Sequence, residues 1–153
     1  MYALLHFLHI LSGIGWAGGA LLIPFTIYPA LLFTPKDSAQ NFLAIFESKI
    51  GTFMGALGGL AMLTGLIRLW ESGRIGSWSL VFSTGSLLAI LALLIVGAHG
   101  AMSSREVARL KSLIDTEAPE AEKSSFMLSA RIATAAMVTA VVAIMAFLGL
   151  GIV

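Results

Sequence analysis

Cysteine is absent from the 153-residue sequence. That excludes a CxxC redox pair, covalent haem attachment through CxxCH, thiolate metal sites and iron–sulfur clusters. Charge is nearly as scarce, with Asp, Glu, Lys and Arg making up 11% of the chain, where a soluble domain carries about a quarter. The net charge is +1 and the isoelectric point about 8.2, so no nucleic-acid partner is expected. The long apolar runs hold neither a carboxylate nor a lysine, which argues against a proton relay built on acids and excludes a retinal Schiff base. No Ser–His–Asp or Cys–His set can be assembled from such runs, so nucleophilic catalysis finds no support.

What the chain has instead is hydrophobicity: 58% apolar residues and a mean hydropathy of +0.97. Its 17 charges fall in three windows, Lys36 to Lys49, Arg68 to Arg74 and Arg105 to Arg131. Between them lie four charge-free segments, Met1 to Pro35, Ile50 to Ile67, Ile75 to Ser104 and Ile132 to Val153. Each can supply the roughly 20 apolar residues of a bilayer-spanning helix. The fold class expected is therefore all-α, an integral membrane four-helix bundle in one domain, with helices over about 2–33, 42–70, 78–114 and 126–152. The first run has no basic leader and is followed by Pro24 and Pro29 rather than a small-residue cleavage site, so it reads as a retained helix, not a signal peptide. The prolines in "PFTIYPALLFTP" should bend or break it. Val107, Leu110 and Ile114 at helical spacing should carry the third helix into water as far as Pro119.

Lysine and arginine orient the bundle. The first and third loops carry Lys36, Lys49, Arg105, Arg109, Lys111, Lys123 and Arg131, against Arg68 and Arg74 on the other side. By the positive-inside rule both termini face outward and the long polar segment is cytoplasmic. The expected location is the cell (inner) membrane, multi-pass, with the lipid bilayer as first partner. His6 and His9 then lie in the outer half, His9 about 12 Å along the helix from Met1, and His99 in the inner half. A histidine within a span is costly, and by default it marks function.

On the second helix, at 100° per residue, Gly51, Gly55, Gly58, Met62 and Gly65 share a narrow face. Such a glycine stripe lets a helix or a flat macrocycle approach the backbone. On the first helix His9, Ser12, Gly13 and Trp16 share a face. These faces leave room for a haem b held by His9, with Met62, Met145 or His6 as second axial ligand and Arg68 pairing a propionate. His99, at the opposite depth, could hold a second haem and complete a transmembrane electron path. Two other functions compete. His6 and His9 at i, i+3 with nearby methionines suit copper binding or transport. Glycine-faced helices also suit an accessory or structural subunit of a larger membrane complex, or a homo-oligomer, with no cofactor of its own. A quinone pocket near His9 or His99 is compatible with each of these.

The start of the first helix, "LHILSGIGWAGGALLIP", resembles that of the small four-helix membrane protoporphyrinogen oxidases and of the related CopD-like copper-resistance proteins. The shared spacing runs from His9 to Trp16, Gly19 and Pro24, and His99–Gly100 also resembles the oxidase family. The resemblance implies a haem b tied to His9. The chain carries Phe25 and Pro29 where those oxidases have an arginine and a histidine, and "WSLVFSTGSLL" lacks their third-helix lysine. What carries over is haem binding and an oxidoreductase or electron-transfer role, more than the oxidation of protoporphyrinogen itself.

Overall fold

The computed structural model describes residues 2–71 and 84–149. The chain folds as α1 (Tyr2–Leu22), a π-helical turn (Ile23–Ile27), α2 (Tyr28–Leu32), α3 (Lys36–Glu71), α4 (Thr84–Asp115) and α5 (Glu120–Gly149). The π turn joins α1 to α2 without a break, so the described residues form four rods, whose candidate spans of 29 to 33 residues are each long and apolar enough to cross a membrane. The fold is an all-α membrane bundle, and the protein is multi-pass. At 1.5 Å per residue the rods run about 45 to 54 Å against a hydrocarbon layer of about 30 Å. The surplus carries most of the charge.

Two helices begin six residues before their expected starts. α3 starts at Lys36 instead of 42, because Pro35 opens it: the Ala39 N–H donates to the Pro35 carbonyl at 3.0 Å and Asp37 sits in the first turn. α5 starts at Glu120 instead of 126 by the same device, with Pro119 accepting from the Glu122 N–H and two acids in the first turn. Proline at a helix start loses no bond, and acids there complement the helix dipole. The expected boundaries at Trp78 and at residue 152 lie outside the described residues.

The prolines of the first rod are absorbed rather than breaking it. Within the π turn the Tyr28 N–H reaches the Ile23 carbonyl. Pro29 has no N–H to offer the carbonyls of Pro24 and Phe25, which are its natural acceptors. Arg131 of α5 supplies the donors: its Nε bonds the Pro24 oxygen at 3.2 Å and its Nη2 the Phe25 oxygen at 3.5 Å. The guanidinium also lies 5.5 Å from the Phe25 ring centre. A residue that topology alone would place as an interface anchor thus repairs the backbone of another helix.

The largest buried cluster is at the charged end of the bundle. Tyr28, Leu32, Leu43, Leu110 and Phe126 pack there with 3% exposure or less. This is where the third rod extends past the apolar run, and Leu110, Leu113 and Ile114 bury its inner face. Lysines cap the helix ends around it. Lys36 Nζ bonds the Asp115 carbonyl at the end of α4 at 2.6 Å, and Lys123 Nζ bonds the Leu32 carbonyl at the end of α2 at 3.2 Å. Cations at C-termini satisfy orphan carbonyls and oppose the dipole. The exit of α4 is a Schellman turn, with Ala118 N–H bonding Leu113 O and Glu117 N–H bonding Ile114 O. Glu117 occupies its left-handed position at φ 50°, where glycine is preferred. Glu117→Gly is expected to stabilise the protein by about 0.5–1 kcal/mol, read as a rise in thermal midpoint in detergent; no change or a fall would contradict this account of the turn.

Higher in the bundle, a smaller cluster of Trp16, Ala20 and Val138 joins α1 to α5, with Met54, Leu57 and Val96 against it. α1 and α3 approach closely through small residues. A Cβ at Gly15 would lie 3.1 Å from Leu57, and one at Gly19 would collide with the Met54 thioether. Large apolar side chains such as Leu4, Ile14, Phe53, Leu94 and Ile132 stay exposed on the outside, the surface that lipid covers.

Candidate functional site

Two places in the bundle hold the intramembrane histidines. At the first, α1 crosses α3 at His9. Its Nδ1 lies 3.0 Å from the Ala61 carbonyl oxygen and 3.2 Å from Thr64 Oγ1. A carbonyl can only accept, so Nδ1 carries the proton. The Thr64 hydroxyl gives its own hydrogen to the Leu60 carbonyl at 2.6 Å, which leaves its oxygen free to accept a share of the imidazole N–H. Nε2 therefore holds the lone pair. The ring is half-buried, and Gly65 lets it in: a Cβ there would stand 3.1 Å from His9 Cε1. Along α1 the Ser12 hydroxyl donates to Leu8 O at 2.6 Å, and a Cβ at Gly13 would meet nothing within 4 Å. One turn beyond Thr64 on α3 stands Arg68, whose Nε is buried without a hydrogen-bond partner.

The second place is a groove of about 550 Å³ between α3 and α4. Glycines form part of its walls, Gly51, Gly55 and Gly58 on α3 and Gly97 and Gly100 on α4. His99 lines it at 6% exposure, with Nδ1 buried and unpartnered. Trp16 holds the His99 ring edge-on, with centroids 5.4 Å apart and an interplanar angle of 89°. A Cβ at Gly58 would lie 3.3 Å from the Trp16 indole, so that glycine seats the tryptophan. At the charged end the groove reaches Tyr28, whose hydroxyl donates to Glu106 Oε2 at 3.3 Å, and Glu47, which pairs with Lys111 at 3.2 Å.

Of the residues singled out by sequence, the structure brings Trp16, Met62 and His99 together on the groove. His9 and Arg68 belong instead to the α1–α3 crossing. His6 is exposed and Met145 half-buried on α5. The glycine face of α3 divides, because its stripe drifts around the helix: Gly51, Gly55, Gly58 and Met62 line the groove, whereas Gly65 addresses His9. His9 and Trp16 share a face of α1 but serve different sites, about 10 Å apart along the axis. Thr64 and the Ala61 carbonyl were not anticipated. A threonine deep inside an apolar helix is the one sequence signal that could have pointed to them. Gly97, two residues before His99, was a similar signal for the far wall of the groove. No family model, curated protein or solved structure matches this chain.

Proposed function

We propose that this chain is a haem-b protein of the cell's inner membrane, acting in redox chemistry or electron transfer, with His9 in the outer half as axial ligand. The observation that carries the reading is the anchored imidazole: an Nδ1–H held by the Ala61 carbonyl and Thr64, with Nε2 left basic. Metal-ligating histidines are held in this way, since the outer bond fixes the tautomer and raises the basicity of the ligating nitrogen. The other residues present fit a haem. One turn along α1 from His9, a Cβ at Gly13 would meet nothing within 4 Å, and the unpartnered Arg68 Nε offers a donor for a propionate. When bound, haem b supplies reversible one-electron exchange at its iron. His9 would bind the iron, Thr64 and Ala61 would keep its ring from turning, and the apolar exterior would hold the site within the bilayer. The outward placement of the termini follows from the seven cationic side chains of the first and third loops against two elsewhere.

The protein purified from haem-supplied cells is expected to give a b-type pyridine haemochrome at about one haem per chain. Protein that is folded and free of haem would overturn the proposal.

A further inference from the structure

We propose that the groove between α3 and α4 binds the head group of a membrane quinone, with His99 as its hydrogen-bonding partner. The inference goes beyond the haem reading and does not depend on it. Its first ground is shape. A Cβ added at Gly51, Gly55, Gly97 or Gly100 would meet nothing within 4 Å, so the space beside these stretches of backbone is open. Gly55, Gly97 and Gly100 are exposed at the edge of the bundle, where lipid stands, so a bilayer-dissolved ring can slide in sideways. From Glu47 to Met62 the α3 wall is about 22 Å long, enough for a head group and the first part of a tail.

The second ground is His99. It is 94% buried by its 6% exposure, it lines the slot, and its Nδ1 has no partner. A buried polar nitrogen in a membrane is costly unless something bonds it. Trp16 packs perpendicular to the ring, and among the described residues no hydrogen bond reaches either ring nitrogen, so its hydrogen-bonding capacity is held ready for an occupant. Along the middle of the groove the walls are apolar, with Ile50, Met54 and Val96. An occupant must therefore be thin and largely apolar, with one group that bonds an imidazole. A quinone carbonyl or quinol hydroxyl on an isoprenoid tail meets all three demands.

Two other occupants fit less well. An acyl chain would leave Nδ1 unsatisfied. A haem would bring two carboxylates to walls on which, among the described residues, the one charged side chain is Glu47, itself an acid. The neutral quinone has no such conflict.

The test uses the full chain with Trp70→Phe and Trp78→Phe, which leaves Trp16 as the single tryptophan of three, combined with His9→Ala so that haem at His9 does not absorb its emission. In phosphatidylcholine nanodiscs, decyl-ubiquinone should quench Trp16 saturably. His99→Ala should weaken the apparent affinity about tenfold, the loss expected for one buried hydrogen bond. Gly55→Leu, which fills the slot without a backbone clash, should abolish saturation. Gly18→Leu, equally unobstructed but off the groove, should change nothing, and matching helical circular dichroism would show that all four proteins fold. Quenching that rises linearly with quinone, or that either His99→Ala or Gly55→Leu leaves unchanged, overturns the proposal. So does a haem spectrum in the His9→Ala protein that His99→Ala removes. Loss of the haem reading alone, with saturable quenching intact, leaves the quinone site standing.

Discussion

Arg131→Ala is expected to destabilise the bundle by about 1–3 kcal/mol. The Pro24 and Phe25 carbonyls lie where Pro29 can give them no hydrogen, and Arg131 donates to both. Losing a charged donor costs about 1–3 kcal/mol, toward the lower end here because the Pro24 bond is part-buried and the Phe25 bond exposed. The guanidinium over the Phe25 ring adds a further cation–π share of about 1 kcal/mol. Arg131→Lys should recover part of the loss, since an ammonium offers donors but not the fork that spans two carbonyls. Thermal or SDS-induced unfolding of the three proteins would measure this. Equal stability of Arg131→Ala and wild type would mean that the π turn satisfies its own carbonyls.

A second large effect is expected at the α1–α3 crossing. Gly65→Val should lower haem affinity about 10- to 100-fold, the range seen when the outer partner of a metal-ligating histidine is disturbed. Even a single Cβ there would stand 3.1 Å from His9 Cε1, and the two further methyls of valine crowd the ring. The imidazole must then rotate or back away, and the Nδ1 bonds to Ala61 and Thr64 cannot both survive. Gly51→Val is the control, since space at Gly51 is open. Haem titration into the apoproteins separates the two. If Gly65→Val binds as tightly as wild type, the crossing does not position His9.

Much of this architecture was legible in the sequence. Charge-free runs fix the number of membrane helices, because a bilayer tolerates few alternatives. Helix starts were less legible: the apolar run marks where lipid begins, whereas Pro35 and Pro119 mark where helix begins. The proline segment was read as a bend or break, since nothing local shows that a side chain 107 residues away would supply the missing donors. In the candidate sites, the histidines stood out because ionisable groups are rare in spans. Their surroundings did not. The acceptor for His9 is a backbone carbonyl, which no residue type announces. The division of one glycine stripe between two neighbours depends on how three helices cross, a matter of packing that spacing on one helix cannot supply. Trp16 was placed on the correct face of α1, yet its partner is His99, on a helix whose rotation the sequence leaves open.

The central claim is that His9 Nε2 is the iron ligand. The reduced-minus-oxidised visible spectrum of His9→Ala, recorded with and without added imidazole, tests it most directly. The account predicts that the b-type bands of the wild-type protein vanish in the variant. They should return when imidazole enters the space left by the missing side chain, while His6→Ala keeps them throughout. A His9→Ala protein whose bands match the wild type without imidazole would contradict the account.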